Sequence, residues 1–185
     1  MEFAAAQRDL ARAYVGGAPG VMVSGLLCLI AGFSALRWGE ASAFTALFIG
    51  GMLIWPVSLG VARFAFSAAP VLRGDPIDTL GLESTFVLFA GILVAYGVLR
   101  VAPVLALPVV AVTIGARYAI FRTLYAERLY WVRGAAIAVV GSLSVFTVDL
   151  PPQTLAFVVG TTEVGFSIAL FVRWQRRQSS SLRAS

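Results

Sequence analysis

Six long stretches of this chain carry almost no charge: Pro19–Leu36, Ala41–Ala62, Leu80–Leu99, Ala102–Phe121, Gly134–Leu150 and Gln153–Val172. A run of about 20 apolar residues is what a helix needs to cross the hydrocarbon core of a bilayer. The first five runs are separated by Arg37 to Glu40, a long Arg63–Thr79 stretch, Arg100, and Arg122 to Arg133. Pro151-Pro152 makes the last break, because proline cannot continue a helix. Of the 185 residues 59% are hydrophobic and only 12% charged. A soluble domain carries about 25% charged residues, so a globular cytoplasmic enzyme is excluded. The expected fold class is all-α: a polytopic membrane bundle of six transmembrane helices, arranged as three hairpins. Residues 1–178 are read as one six-span domain, and Ser179–Ser185 as a disordered tail.

Arginine placement gives the orientation. Arg8, Arg12, Arg63, Arg73, Arg122, Arg128, Arg133, Arg173, Arg176, Arg177 and Arg183 fall on one side of the spans, against Arg37 and Arg100 on the other. The positive-inside bias then puts both termini in the cytoplasm. Trp38, Tyr130, Trp131 and Trp174 stand at span ends, where aromatic belts are expected. The first apolar run is too long, and its leader too weakly basic, for a cleaved signal peptide, so it is read as a retained span. Phe3, Leu10 and Tyr14 would share a face of a short surface helix.

What is missing narrows the chemistry. All 14 basic residues are arginine; the chain has no Lys, no His and no Asn. That removes Ser-His and Cys-His nucleophile pairs, imidazole metal ligands, Schiff-base lysines and a phosphate-loop lysine. Cys28, the single cysteine, lies in an apolar run and reads as a packing residue. No cofactor is expected. Asp75 and Asp78, beside the Gly74-Asp75-Pro76 turn signature, read as solvated carboxylates and not as metal ligands. The net charge of +5 is spread between apolar segments, which argues against nucleic acid.

A weak internal repeat runs through the spans. The odd spans are Gly-rich apolar runs. The even spans carry a glycine before a polar or bent position: Gly50-Gly51 before Pro56, Gly115 before Arg117, Gly160 before Glu163. Small residues allow close helix packing in lipid, and a true repeat would place the three even spans around a common centre. Pro56 and Pro108 are candidate kinks.

The stretches Gly50-Gly51-Met52-Leu53-Ile54-Trp55-Pro56, Asp75-Pro76-Ile77, Leu82-Glu83-Ser84-Thr85, Gly115-Ala116-Arg117-Tyr118, Thr123-Leu124-Tyr125 and Tyr130-Trp131 resemble a family of small bacterial six-span membrane proteins, a domain of unknown function. The layout is also similar to that of HdeD-like three-hairpin membrane proteins. These resemblances imply a bacterial inner-membrane location and supply no reaction.

Ionisable residues inside spans cost at least about 2.5 kcal/mol each at a helix centre and need a partner or water. Glu163 lies near the middle of span six; Arg117 and Glu83 lie nearer the cytoplasmic ends of spans four and three. Depth matching pairs Glu83 with Arg117, with Arg63 close by and Glu163 deeper. Either these charges fix helix register, or they line a cytoplasm-facing cavity ending at Glu163 that binds or moves a small solute, a cationic or polar ligand, or passes a proton. A third reading has them snorkelling at the lipid boundary. Tyr118, Arg122 and Tyr125 share a stripe continuing span four, a surface for interfacial anchoring or for anionic headgroups. The candidate ligand-binding residues are therefore Glu163, Arg117, Glu83, Arg63 and Tyr118. The alternative function is a structural subunit packing on a membrane partner, or on a second copy, through the Gly-rich odd spans; an intramembrane lipid enzyme is the third.

Overall fold

The computed structural model describes residues 3–68, 76–146 and 151–182. Seven helices follow in order: α1 (Phe3–Ala13), α2 (Ala18–Trp38), α3 (Glu40–Phe66), α4 (Pro76–Val101), α5 (Ala106–Tyr125), α6 (Leu129–Phe146) and α7 (Pro152–Leu182). No strand occurs among the described residues. Six of the helices are long and apolar enough to cross a membrane. Their outer faces expose Phe33, Phe64, Phe86, Leu93 and Phe146. A surface built of large apolar side chains is stable in hydrocarbon and not in water. The chain is a multi-pass membrane protein.

Local chemistry sets the breaks. Gly39, at φ +86° and ψ 178°, turns α2 into α3 within one residue, a conformation closed to residues with a Cβ. Ser42 holds that corner by donating to the carbonyls of Gly39 (2.6 Å) and Ser34 (2.8 Å). Between α5 and α6, Ala126 takes a left-handed φ of +51°. The Glu127 carboxylate then accepts from the Leu129 amide at 3.3 Å and opens α6.

The helices form two layers of three. In one, α2 lies between α3 and α7; in the other, α5 lies between α4 and α6. The first two sequence pairs, α2–α3 and α4–α5, pack as hairpins. The last pair parts: α6 lies along α5, α7 lies along α2, and the two meet only where the layers touch. Glycine contacts account for this. A methyl group at Gly115 would stand 2.6 Å from the Gly134 carbonyl oxygen, and one at Gly134 would stand 2.6 Å from that of Gly115. Gly25 and Gly160 pair in the same way, at 3.0 and 2.9 Å. Each pair lets two backbones touch, and together they zip α5 to α6 and α2 to α7.

Several expectations change. The centre is built by α2, α5, α6 and α7, so the even spans do not line it together; Gly50 of α3 packs on Leu27 instead. Pro108 falls in the first turn of α5, where no intrahelical N–H bond is lost, so it introduces no kink. Tyr130 is fully buried and is not a belt residue. Its hydroxyl donates to the Gly16 carbonyl at 2.7 Å. Helix α7 runs on through the start of the expected tail to Leu182, and residues 183–185 lie outside the described residues. Helix α1 packs Ala6 and Leu10 on Leu124, at the end of the bundle where Arg173 and Arg177 of α7 also lie, so the helices that open and close the chain share one end.

Candidate functional site

The polar centre sits just beyond the two glycine crossings. Tyr118 is one turn past Gly115, Glu163 one turn past Gly160, and Arg133 adjoins Gly134. Close backbone approach therefore brings three side chains from three helices together. The Tyr118 hydroxyl donates to Glu163 Oε1 at 2.8 Å. Arg133 Nη2 donates both to that carboxylate oxygen and to the Tyr118 hydroxyl oxygen. The Arg133 guanidinium also lies over the Tyr118 ring, 3.4 Å from its centroid. The side chains of Arg133 and Glu163 are 0% exposed. Arg133 Nε and Nη1 and Glu163 Oε2 make no hydrogen bond among the described residues. A pair this deep gains strongly from mutual attraction, and either charge alone would be severely destabilising.

Arg117 points elsewhere. It is one residue, about 100° of helix rotation, from Tyr118, and it leaves the centre for α4. There Nε reaches Ser84 Oγ and Nη2 reaches Thr85 Oγ1, both at 3.4 Å. The guanidinium carbon stands 4.9 Å from the Phe121 ring centroid. No carboxylate of the described residues forms an ion pair with Arg117.

Arg117 and Tyr118 line a cavity of about 320 Å³. It occupies a wedge between the two hairpins. At the turn end, Phe44 of α3 belongs to one apolar cluster with Leu88, Ile92 and Ala95 of α4, and its ring stands 5.8 Å from that of Tyr96. Towards the other end the helices diverge, leaving space between Met52–Ser58 and Gly81–Thr85. Leu10 and Tyr14, from α1 and the turn after it, line the cavity from that end. Met52 and Trp55 also line it while 50% and 63% exposed, so it reaches the outer surface of the bundle beside α3.

Of the residues singled out by sequence, the cavity thus joins Arg117 and Tyr118. Glu163 is sealed behind Tyr118, and Glu83 and Arg63 are exposed. The expected Glu83–Arg117 ion pair is absent among the described residues. Ser84 and Thr85, the next two positions on α4, face Arg117, which turns Glu83 outward. Tyr125 and Tyr118 are packed against Tyr130, at 5.5 and 6.0 Å between centroids, and are not a membrane-surface stripe; only Arg122 remains outside, over Trp131. Asp75 and the Asp78 side chain lie outside the described residues. Among the described residues no three carboxylate or thiol side chains converge as a metal site would require.

Two residues escaped the sequence reading. Arg133 closes the Arg122–Arg133 break between apolar runs, yet Tyr130, Arg133, Ile137 and Gly141 recur at helical spacing and form the buried face of α6. That periodicity was the available signal. Glu127, in the same break, is buried and accepts from Arg173 (2.8 Å) and Arg177 (2.6 Å), tying the α5–α6 turn to α7. A second cavity of about 480 Å³ beside it, between α1 and α7, mixes Arg8, Arg12 and Arg177 with Glu127.

Residues 3–173 match a family of unknown function (DUF7010), and the chain belongs to that family. No match emerges among curated proteins or among solved structures.

Proposed function

We propose that this protein binds a small anionic solute in the wedge cavity, with Arg117 as the group that recognises it. The protein sits in a bacterial inner membrane with its arginine-rich end in the cytoplasm. One observation carries the reading: a guanidinium facing a cavity of about 320 Å³ with no carboxylate partner among the described residues. A cation at membrane depth is costly unless something neutralises it, and two hydroxyls at 3.4 Å do so only weakly. The Arg133–Glu163–Tyr118 cluster forms the rigid back wall and holds Tyr118 in place; Glu163 does not itself meet the ligand.

The structural-subunit alternative has less support. Gly25 and Gly32 pack on α7, Gly91 on Thr113 and Gly141 on α5, so these glycines of the odd spans are used within the chain. A lipid enzyme would need reactive groups facing lipid, and Glu163 is sealed.

Thermal unfolding of the protein in nanodiscs tests the proposal, with propionate, benzoate, phosphate and neutral analogues as probes. A saturable rise in melting temperature with an anion, lost in Arg117→Gln and kept in Arg117→Lys, is expected. Equal responses in wild type and Arg117→Gln would overturn it.

A further inference from the structure

We infer that the ligand of the Arg117 cavity is a single-chain anionic amphiphile, a carboxylate with a hydrocarbon tail, that arrives sideways from the bilayer between α3 and α4. This rests on the anion-binding reading above and specifies its ligand.

The cavity is charged on one side only, and the opposite wall is mainly apolar apart from the Ser24 and Ser58 hydroxyls. Arg117, Tyr118 and Thr85 stand on the α4–α5 side; Met52, Ile54 and Trp55 supply much of the opposite wall. A hydrophilic anion would have to leave this apolar surface bare of water, whereas a hydrocarbon chain covers it at about 25 cal/mol for each Å² buried.

A mostly apolar seam adjoins the cavity. A cleft of about 30 Å³ shares Arg117, Tyr118 and Ile54 with it and runs on between the layers past Ile114, Val110 and Ile92. From Arg117 to Val110 is seven residues of α5, about 10 Å at helical rise. The cleft itself holds about one water-sized group, so the chain lies within the 320 Å³ cavity with its charge at Arg117 and only its end directed at this seam.

Access and size agree. Leu10 and Tyr14 stand at the arginine-rich end, the side from which a water-soluble anion would come, while half-exposed Met52 and Trp55 form a lip toward lipid. Ligand pockets run from about 300 to 1,000 Å³, so 320 Å³ admits one chain and excludes a two-chain phospholipid.

The test uses the full chain in zwitterionic nanodiscs and 11,12-dibromododecanoate, whose bromines quench a nearby tryptophan. The signal from Trp55 is the difference between wild type and Trp55→Phe. Saturable quenching is expected, with half-saturation at least tenfold weaker in Arg117→Gln, retained in Arg117→Lys, and at least tenfold weaker for 11,12-dibromododecanol. If propionate stabilises the protein through Arg117 while dibromododecanoate quenches without saturating, the amphiphile is refuted and the anionic-solute reading stands. If the alcohol binds as well as the acid, the amphiphile is refuted; if no anion depends on Arg117, both readings fall.

Discussion

The guanidinium groups of Arg133 and Arg117 sit near one another in the bundle in opposite settings. Arg133 is fully buried, stacked on Tyr118 and paired with Glu163. Arg117 is half-buried, holds two hydroxyls at 3.4 Å and faces a cavity that reaches the outer surface. The sealed charge lies where glycine crossings press helices together; the open one lies where two hairpins diverge. A charge at a tight crossing is held by its own chain, and a charge in a wedge is available to something else.

The largest effect that would break this contrast is at the sealed pair. Glu163→Gln or Arg133→Gln alone should cost about 3–5 kcal/mol by leaving one charge unpaired, read by reversible unfolding in mixed micelles. The joint change Arg133→Met with Glu163→Met should recover most of that loss, because both costs of desolvation vanish.

Next come the crossings. Gly115→Ala would set a methyl group 2.6 Å from the Gly134 carbonyl oxygen, which is backbone and cannot rotate away. A loss of about 1–3 kcal/mol is expected from such overpacking. Gly97→Ala, with nothing within 4 Å, should change stability by no more than about 0.5 kcal/mol. Equal losses at the two sites would show that the crossing does not hold α5 to α6.

The smallest stability effects belong to the wedge. Arg117→Gln should shift unfolding by less than about 1 kcal/mol, since the two hydrogen bonds it loses are long, while abolishing the anion response. Exposed Glu83→Gln should alter unfolding by no more than about 0.5 kcal/mol and leave the anion response intact. A large loss in Glu83→Gln would restore the ion pair suggested by depth.

Sequence made the six helices legible because each apolar run is long and bounded by arginine, glycine or proline. It also marked Gly115 and Gly160 as the small residues preceding the polar positions. Depth alone could not say which arginine meets Glu163, because partner choice depends on helix rotation. Tyr118 and Arg117 differ by one residue and face different helices. Arg133 was hidden by its place beside Tyr130 and Trp131, which imitates an interfacial flank; only the buried face running through Ile137 and Gly141 gives it away. The parting of α6 from α7 was likewise unreadable from a short connection, since it depends on glycine contacts made across the bundle.

The most direct measurement is a pair of double-mutant cycles on unfolding free energy, one joining Arg133 and Glu163, the other Arg117 and Glu163, all changed to Gln. Coupling of about 2 kcal/mol or more is expected in the first cycle and no more than about 0.5 kcal/mol in the second. Strong coupling between Arg117 and Glu163, with little between Arg133 and Glu163, would contradict a sealed centre beside a free cation.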